Sequence, residues 1–96
     1  MKRNRKAKIL STLGPSSSSL EIIEKLFLEG TDVFRLNFSH GSIESHRKNL
    51  EKIRSLEKKY NYATCILADL QGPKLRIGVF KNKKEKLILG QKFKLD

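Results

Sequence analysis

The stretch Thr31-Asp32-Val33-Phe34-Arg35-Leu36-Asn37-Phe38-Ser39-His40-Gly41 decides the architecture of this 96-residue chain. Val33, Phe34, Leu36 and Phe38 make residues 31–38 a buried strand, and a helical segment lies on each side of it. Upstream, Ser18 and Glu21 stand three residues apart as a capping box, in which each side chain satisfies a free N–H at a helix start. Leu20, Ile22, Ile23, Leu26 and Phe27 then recur at helical spacing, until Gly30 supplies a residue able to take a left-handed C-cap. Downstream, Ser42 caps a second helix with Ile43, Leu50, Ile53 and Leu56 on one side, ending at Asn61. Further out, residues 8–13 end at Gly14-Pro15 and read as a short strand, and residues 63–70 read as another. The order strand, helix, strand, helix, strand, with near-continuous apolar strands, predicts an α/β fold whose parallel sheet is buried on both faces. Cys65, inside the third apolar run, reads as a small buried hydrophobe.

After Gly72-Pro73 the pattern changes. Leu75, Ile77 and Val79 alternate with Arg76 and Gly78, a lysine-rich turn follows, and residues 87–95 alternate again. That is the pattern of an antiparallel β element, so two units are expected, 1–72 and 73–96. Three parallel strands leave an open edge, and the β element has too few strands to fold alone. Because the chain ends at Asp96 within a predicted strand, it is expected to be an amino-terminal piece of something larger.

Composition narrows the function classes. Hydrophobic residues make up 38% of the chain, enough for a small core. No apolar run approaches the roughly 20 residues of a membrane span, and no signal peptide is recognisable, so the expected compartment is the cytoplasm. One cysteine and two histidines argue against a disulfide framework or a zinc site. The net charge of +11 raises nucleic-acid binding as a function. However, no aromatic residues are interleaved with the lysines to stack bases, and no nucleic-acid motif is present.

The chemistry concentrates at strand ends, where parallel α/β folds collect their binding residues. Arg35, Asn37 and Ser39 are spaced by two, so on an extended segment they share a side. Arg35 offers a rigid fork of donors for phosphate or carboxylate, while Asn37 and Ser39 supply oxygens for a hard cation. His40-Gly41 turns the chain toward the next helix. Asp69 ends the third strand at the same end of the sheet, where it can pair with Arg35 or ligate a cation. Lys74 and Arg76, two residues apart beyond the Gln71-Gly72-Pro73 turn, add cations suited to a bound anion.

Three ordered motifs carry a family resemblance. Lys8-Ile9-Leu10-Ser11-Thr12-Leu13-Gly14-Pro15 resembles the first strand and turn of pyruvate kinases. Arg35-Leu36-Asn37-Phe38-Ser39-His40-Gly41 matches that family's signature stretch, and Leu67-Ala68-Asp69-Leu70-Gln71-Gly72-Pro73-Lys74-Leu75-Arg76-Ile77-Gly78 resembles its third strand and exit. The resemblance implies a (β/α)8 TIM barrel, of which residues 1–72 supply the first three strands and two helices. Residues 73–96 would begin a small inserted β-barrel domain. The implied reaction is phosphoryl transfer from phosphoenolpyruvate to ADP, giving pyruvate and ATP in glycolysis. By the same resemblance Arg35 contacts the transferring phosphoryl group, and Asn37, Phe38, Ser39, His40 and Arg76 line the nucleotide. Asn37, Ser39, Asp69 and the Leu70 carbonyl match the potassium positions.

The chain departs from the family pattern in one respect: Lys74 stands where many potassium-dependent members carry glutamate, and Leu70-Gln71 replaces Thr-Lys. A lysine ammonium there can replace the ion's charge, which predicts an enzyme independent of added potassium. The Mg²⁺ ligands, the phosphoryl-contacting lysine and the proton-donating region belong to later parts of the family's chains. The isolated chain is therefore expected to be inactive, and the complete enzyme is implied to be a homo-oligomer. The alternative reading is a free-standing basic module that binds nucleic acid or docks through its open edge.

Overall fold

The computed structural model describes residues 3–94. Strand β1 (Leu10–Leu13) leads through a 3-10 turn (Pro15–Ser17) into helix α1 (Leu20–Glu29). Strand β2 (Val33–Asn37), helix α2 (Ile43–Tyr60) and strand β3 (Cys65–Asp69) follow. The strands form one parallel sheet in the order β1-β2-β3. The predicted β-α-β-α-β order is present, with each strand trimmed at its ends.

The helix boundaries have local causes. The predicted Ser18 capping box does not form. The Ser18 hydroxyl instead donates to the Gly14 carbonyl at 2.6 Å, closing the 3-10 turn, and Ser19 caps α1 by accepting the Ile22 N–H at 3.3 Å. Gly30 ends α1 at φ +123°, its N–H donating to Leu26 at 3.2 Å. Its positive φ is what favours glycine, since the nearest atoms to an added Cβ belong to the movable end of the Arg5 side chain. Ser42 caps α2 in a reciprocal pair with Ser45, and Asn61 ends it in the left-handed region.

The core lies between the helices and one side of the sheet. Leu13, Phe34 and Leu36 meet Ile23 and Phe27 of α1 and Ile53 and Leu56 of α2. The apolar stripe predicted for α2 holds only in its second half. Ile43 is 73% exposed and Leu50 sits at the margin, while His46 and Asn49 are buried in their place. The first turns of α2 face the polar turn after β2 rather than the aliphatic core, which is why polar side chains are enclosed there.

The other side of the sheet is uncovered, so the expectation of burial on both faces is not met. Thr12, Arg35 and Leu67 form one row across it, and Asn37 with Asp69 the next. Leu10 and Leu67 are exposed on this side, and so is Cys65, which corrects its reading as a buried hydrophobe. Beyond Asp69, residues 70–94 contain no helix or strand, and Leu75, Val79 and Leu89 are bare to solvent. The alternating segments have no third strand or apolar layer to close on within this chain. The last residues of the predicted 87–95 strand lie outside the described residues.

At the amino end of the sheet, Arg3 and Arg5 pair with Asp32 at 2.8 and 3.1 Å, and the Ile9 N–H donates to the same carboxylate at 2.8 Å. Arg3 also donates to the Phe27 carbonyl at 2.6 Å and lies 4.7 Å over the Tyr62 ring. The Ile9 hydrogen bond foremost holds the Asp32 carboxyl well below the usual range; burial, the next largest effect, opposes it, and the two arginines add to the lowering. Two basic residues of the amino-terminal cluster are thus engaged in holding the fold.

Candidate functional site

The carboxyl ends of the three strands converge on one polar cluster. Arg35 projects from β2 onto the uncovered side of the sheet because Phe34 and Leu36 alternate into the core. Its Nε donates to Asp69 Oδ2 at 3.0 Å and its Nη2 donates to the same oxygen. The Nη1 group reaches Thr12 Oγ1 on β1 at 3.3 Å. One guanidinium therefore ties all three strands together while remaining partly open to solvent, a geometry that leaves it able to meet an anion.

The turn after β2 is held from within. Asn37 Oδ1 accepts the Ser39 N–H at 3.0 Å, and the His40 N–H donates to the Asn37 carbonyl at 3.2 Å. The Phe38 N–H donates to the Asp69 carbonyl at 2.9 Å, extending the β2–β3 ladder one step beyond the strands. Gly41 follows at φ +71°, where a Cβ would lie 3.0 Å from Ser45 Oγ and 3.4 Å from His46 Nε2. Only glycine fits that bend.

Beside the cluster lies a cavity of about 590 Å³, whose lining includes Thr12, Asn37, His40, Gly41, His46 and Asn49. Of the residues singled out from sequence, Arg35, Asn37 and Asp69 come together at the strand ends, with Ser39 and His40 in the adjoining turn. The Phe38 ring stacks on His46. Leu70 is exposed immediately after β3. Lys74 and Arg76 are not brought in. They lie on the exposed segment beyond β3 and make no ion pair with Asp69 among the described contacts.

Sequence reasoning missed Thr12, His46 and Asn49. The signal for the last two was present: they occupy the α2 stripe between Ile43 and Ile53, where aliphatic residues belong. For a metal, the donor set is informative. Asn37 and Asp69 are register partners at the strand ends, and Ser39 and Leu70 follow them in the chain. Asp69 is the carboxylate among them and it is paired with Arg35. No group of three His, Cys, Asp or Glu able to hold a metal occurs among the described residues. A divalent-metal ligand set is not assembled from them.

The family described as pyruvate kinase, barrel domain, matches residues 4–96. The pyruvate kinase of Methylorubrum extorquens is 50% identical over 96 residues, all of this chain and 20% of the relative. Pyruvate kinase II of Salmonella typhimurium is 44% identical over 95 residues, 99% of this chain and 20% of the relative. Among solved structures, a Cryptosporidium parvum pyruvate kinase superimposes with a TM-score of 0.74 at 42% identity, covering 83% of this chain and 17% of that one. The chain thus spans about one fifth of the length of the curated relatives it matches. By the family match, the identities and the shared fold, the chain belongs to the pyruvate kinase family.

Proposed function

We propose that this chain supplies the phosphoryl- and nucleotide-facing strands of a pyruvate kinase, transferring a phosphoryl group from phosphoenolpyruvate to ADP. The observation that carries the reading is Arg35, anchored to Asp69 and Thr12 at the strand ends with its side chain still partly exposed. A fixed guanidinium in that position stabilises charge spread over the oxygens of a transferring phosphoryl group. The turn 37–41 lies along the nucleotide, and Arg76 joins its phosphates once residues 73–96 are packed into the inserted β domain. Residues 1–72 then belong to a (β/α)8 barrel, whose interior is the uncovered sheet face.

In this reading Mg²⁺, held by residues outside this chain, neutralises phosphate charge when bound. Asn37, Ser39, Asp69 and the Leu70 carbonyl form the monovalent-cation position, and the Lys74 ammonium substitutes for the ion. No divalent-metal ligand set is assembled among the described residues, and with the proton-donating region in later parts of the family's chains this chain is expected to turn over nothing by itself. The cytoplasm and a homo-oligomeric complete enzyme follow from the glycolytic reading. The test is a chimera in which this chain replaces the matching fifth of the Methylorubrum extorquens enzyme. Pyruvate formation from phosphoenolpyruvate and ADP is expected, and a folded chimera without it would refute the proposal.

A further inference from the structure

His46 stands on the second turn of α2 and is 9% exposed. Its Nε2 is 2.7 Å from the His40 carbonyl oxygen, and its ring stacks on Phe38 at 4.4 Å between centroids. Because a carbonyl only accepts, Nε2 carries the proton, and Nδ1 is left as an acceptor. That Nδ1 is buried and meets no donor. An unpaired buried acceptor lowers stability, so for packing alone a phenyl ring in the same place is the better solution. What a phenyl ring cannot do is hold the His40 carbonyl.

We propose that His46 is a positioning residue for the nucleotide-facing turn. It grips Phe38 through its ring and His40 through Nε2–H, so that the residues on either side of Ser39 are fixed from one post on α2. The cavity that His40, Gly41 and His46 line together with Asn49 is shaped by this grip. Its effect is on the affinity for a nucleoside diphosphate rather than on the fold, and that part rests on the functional reading above.

The experiment compares the ¹⁵N-labelled full chain with His46→Phe and His46→Gln, following amide exchange and titration with Mg·ADP. Phe keeps the stack and removes the donor, whereas Gln restores a donor to the His40 carbonyl. In His46→Phe, exchange at Ser39 and His40, whose N–H groups donate to Asn37, is expected to quicken about tenfold while Phe34 and Ile53 in the core stay as slow as before. His46→Gln should return both amides to near the original rate. Unchanged exchange in the Phe variant overturns the proposal, as does equal acceleration in the core or no recovery with Gln. Where Mg·ADP shifts the resonances of residues 37–41, its apparent Kd should weaken about tenfold in the Phe variant and recover with Gln. An unchanged Kd overturns the affinity claim. If the exchange pattern appears but Mg·ADP moves none of these amides in the chimera with the rest of the Methylorubrum extorquens enzyme, the grip stands and the nucleotide reading falls.

Discussion

Arg35 passes over its register neighbour on β3. Its partner across the ladder is Leu67, yet its guanidinium reaches two residues further along β3 to Asp69, with Nε 3.0 Å from Oδ2. The diagonal draws the charge toward the carboxyl end of the sheet, where the turn 37–41 and the cavity begin. Asp69 thereby aims Arg35 rather than cementing the fold.

Its stability contribution is accordingly small. The two side chains are 28% and 45% exposed, and pairs this open are worth about 0–1 kcal/mol after solvent screening. Asp69→Asn should shift chemical unfolding of the chain by less than about 1 kcal/mol. In the chimera the same substitution, by releasing the guanidinium, should lower kcat/KM about tenfold or more. A large stability loss with unchanged kcat/KM would reverse these assignments.

Acid should loosen the amino end of the sheet at two places at once. The Asp32 carboxyl lies well below the usual range because Ile9, Arg3 and Arg5 hydrogen-bond it. Burial works to raise Glu57, but Arg54 and the Thr64 N–H and hydroxyl outweigh it and leave that carboxyl lowered too. Groups depressed in the folded state stabilise it fully above their unfolded values near 4, and the contribution disappears as pH falls through the folded values. Urea midpoints should therefore be flat from pH 7 to about 5 and fall below it, with a shallower fall in Asp32→Asn. A midpoint that rises on acidification contradicts the assignment.

The two sides of the sheet should answer differently to truncation. Leu36 is packed against the helices, so Leu36→Ala should cost about 2–5 kcal/mol in the chain. Leu67 is exposed on the bare side, and Leu67→Ala should change the chain by less than about 0.5 kcal/mol. In the chimera, where a closed barrel would cover that side, the Leu67 substitution should cost about 2–5 kcal/mol as well. Equal, small effects in both settings would mean that the face stays uncovered.

The role proposed for Lys74 is open to test through potassium. The chimera should form pyruvate with or without added potassium, and Lys74→Glu should make it potassium-dependent. The comparison is of initial rates in sodium and potassium buffers of equal ionic strength, since ionic strength itself screens exposed charges. Strong potassium dependence before the substitution removes the role given to Lys74.

The sequence was most readable where local chemistry decides the outcome. Gly30, Ser42 and Asn61 end or begin their helices as the residue types require, and Val33 to Asn37 alternates core and site side chains. Ser18 misled because Gly14 offered its hydroxyl a closer carbonyl than the helix offered an N–H. Cys65 and Leu67 misled because an apolar run states that a face is to be buried, not that the covering layer belongs to the same chain. Arg35 with Asp69 was legible from their shared strand end. His46 was not, since its partners, Phe38 and the His40 carbonyl, are brought to it only by the turn at Gly41.

The central claim is that Arg35 meets the phosphoryl group in flight. The direct measurement is kcat for pyruvate formation by the chimera carrying Arg35→Gln, alongside its melting temperature. Losing a fixed positive charge made for the transition state should lower kcat by about 10³-fold while melting moves by only a few degrees. A chimera that keeps its kcat within about threefold after this substitution would contradict the account, because an electrostatic role of that size cannot be removed so cheaply.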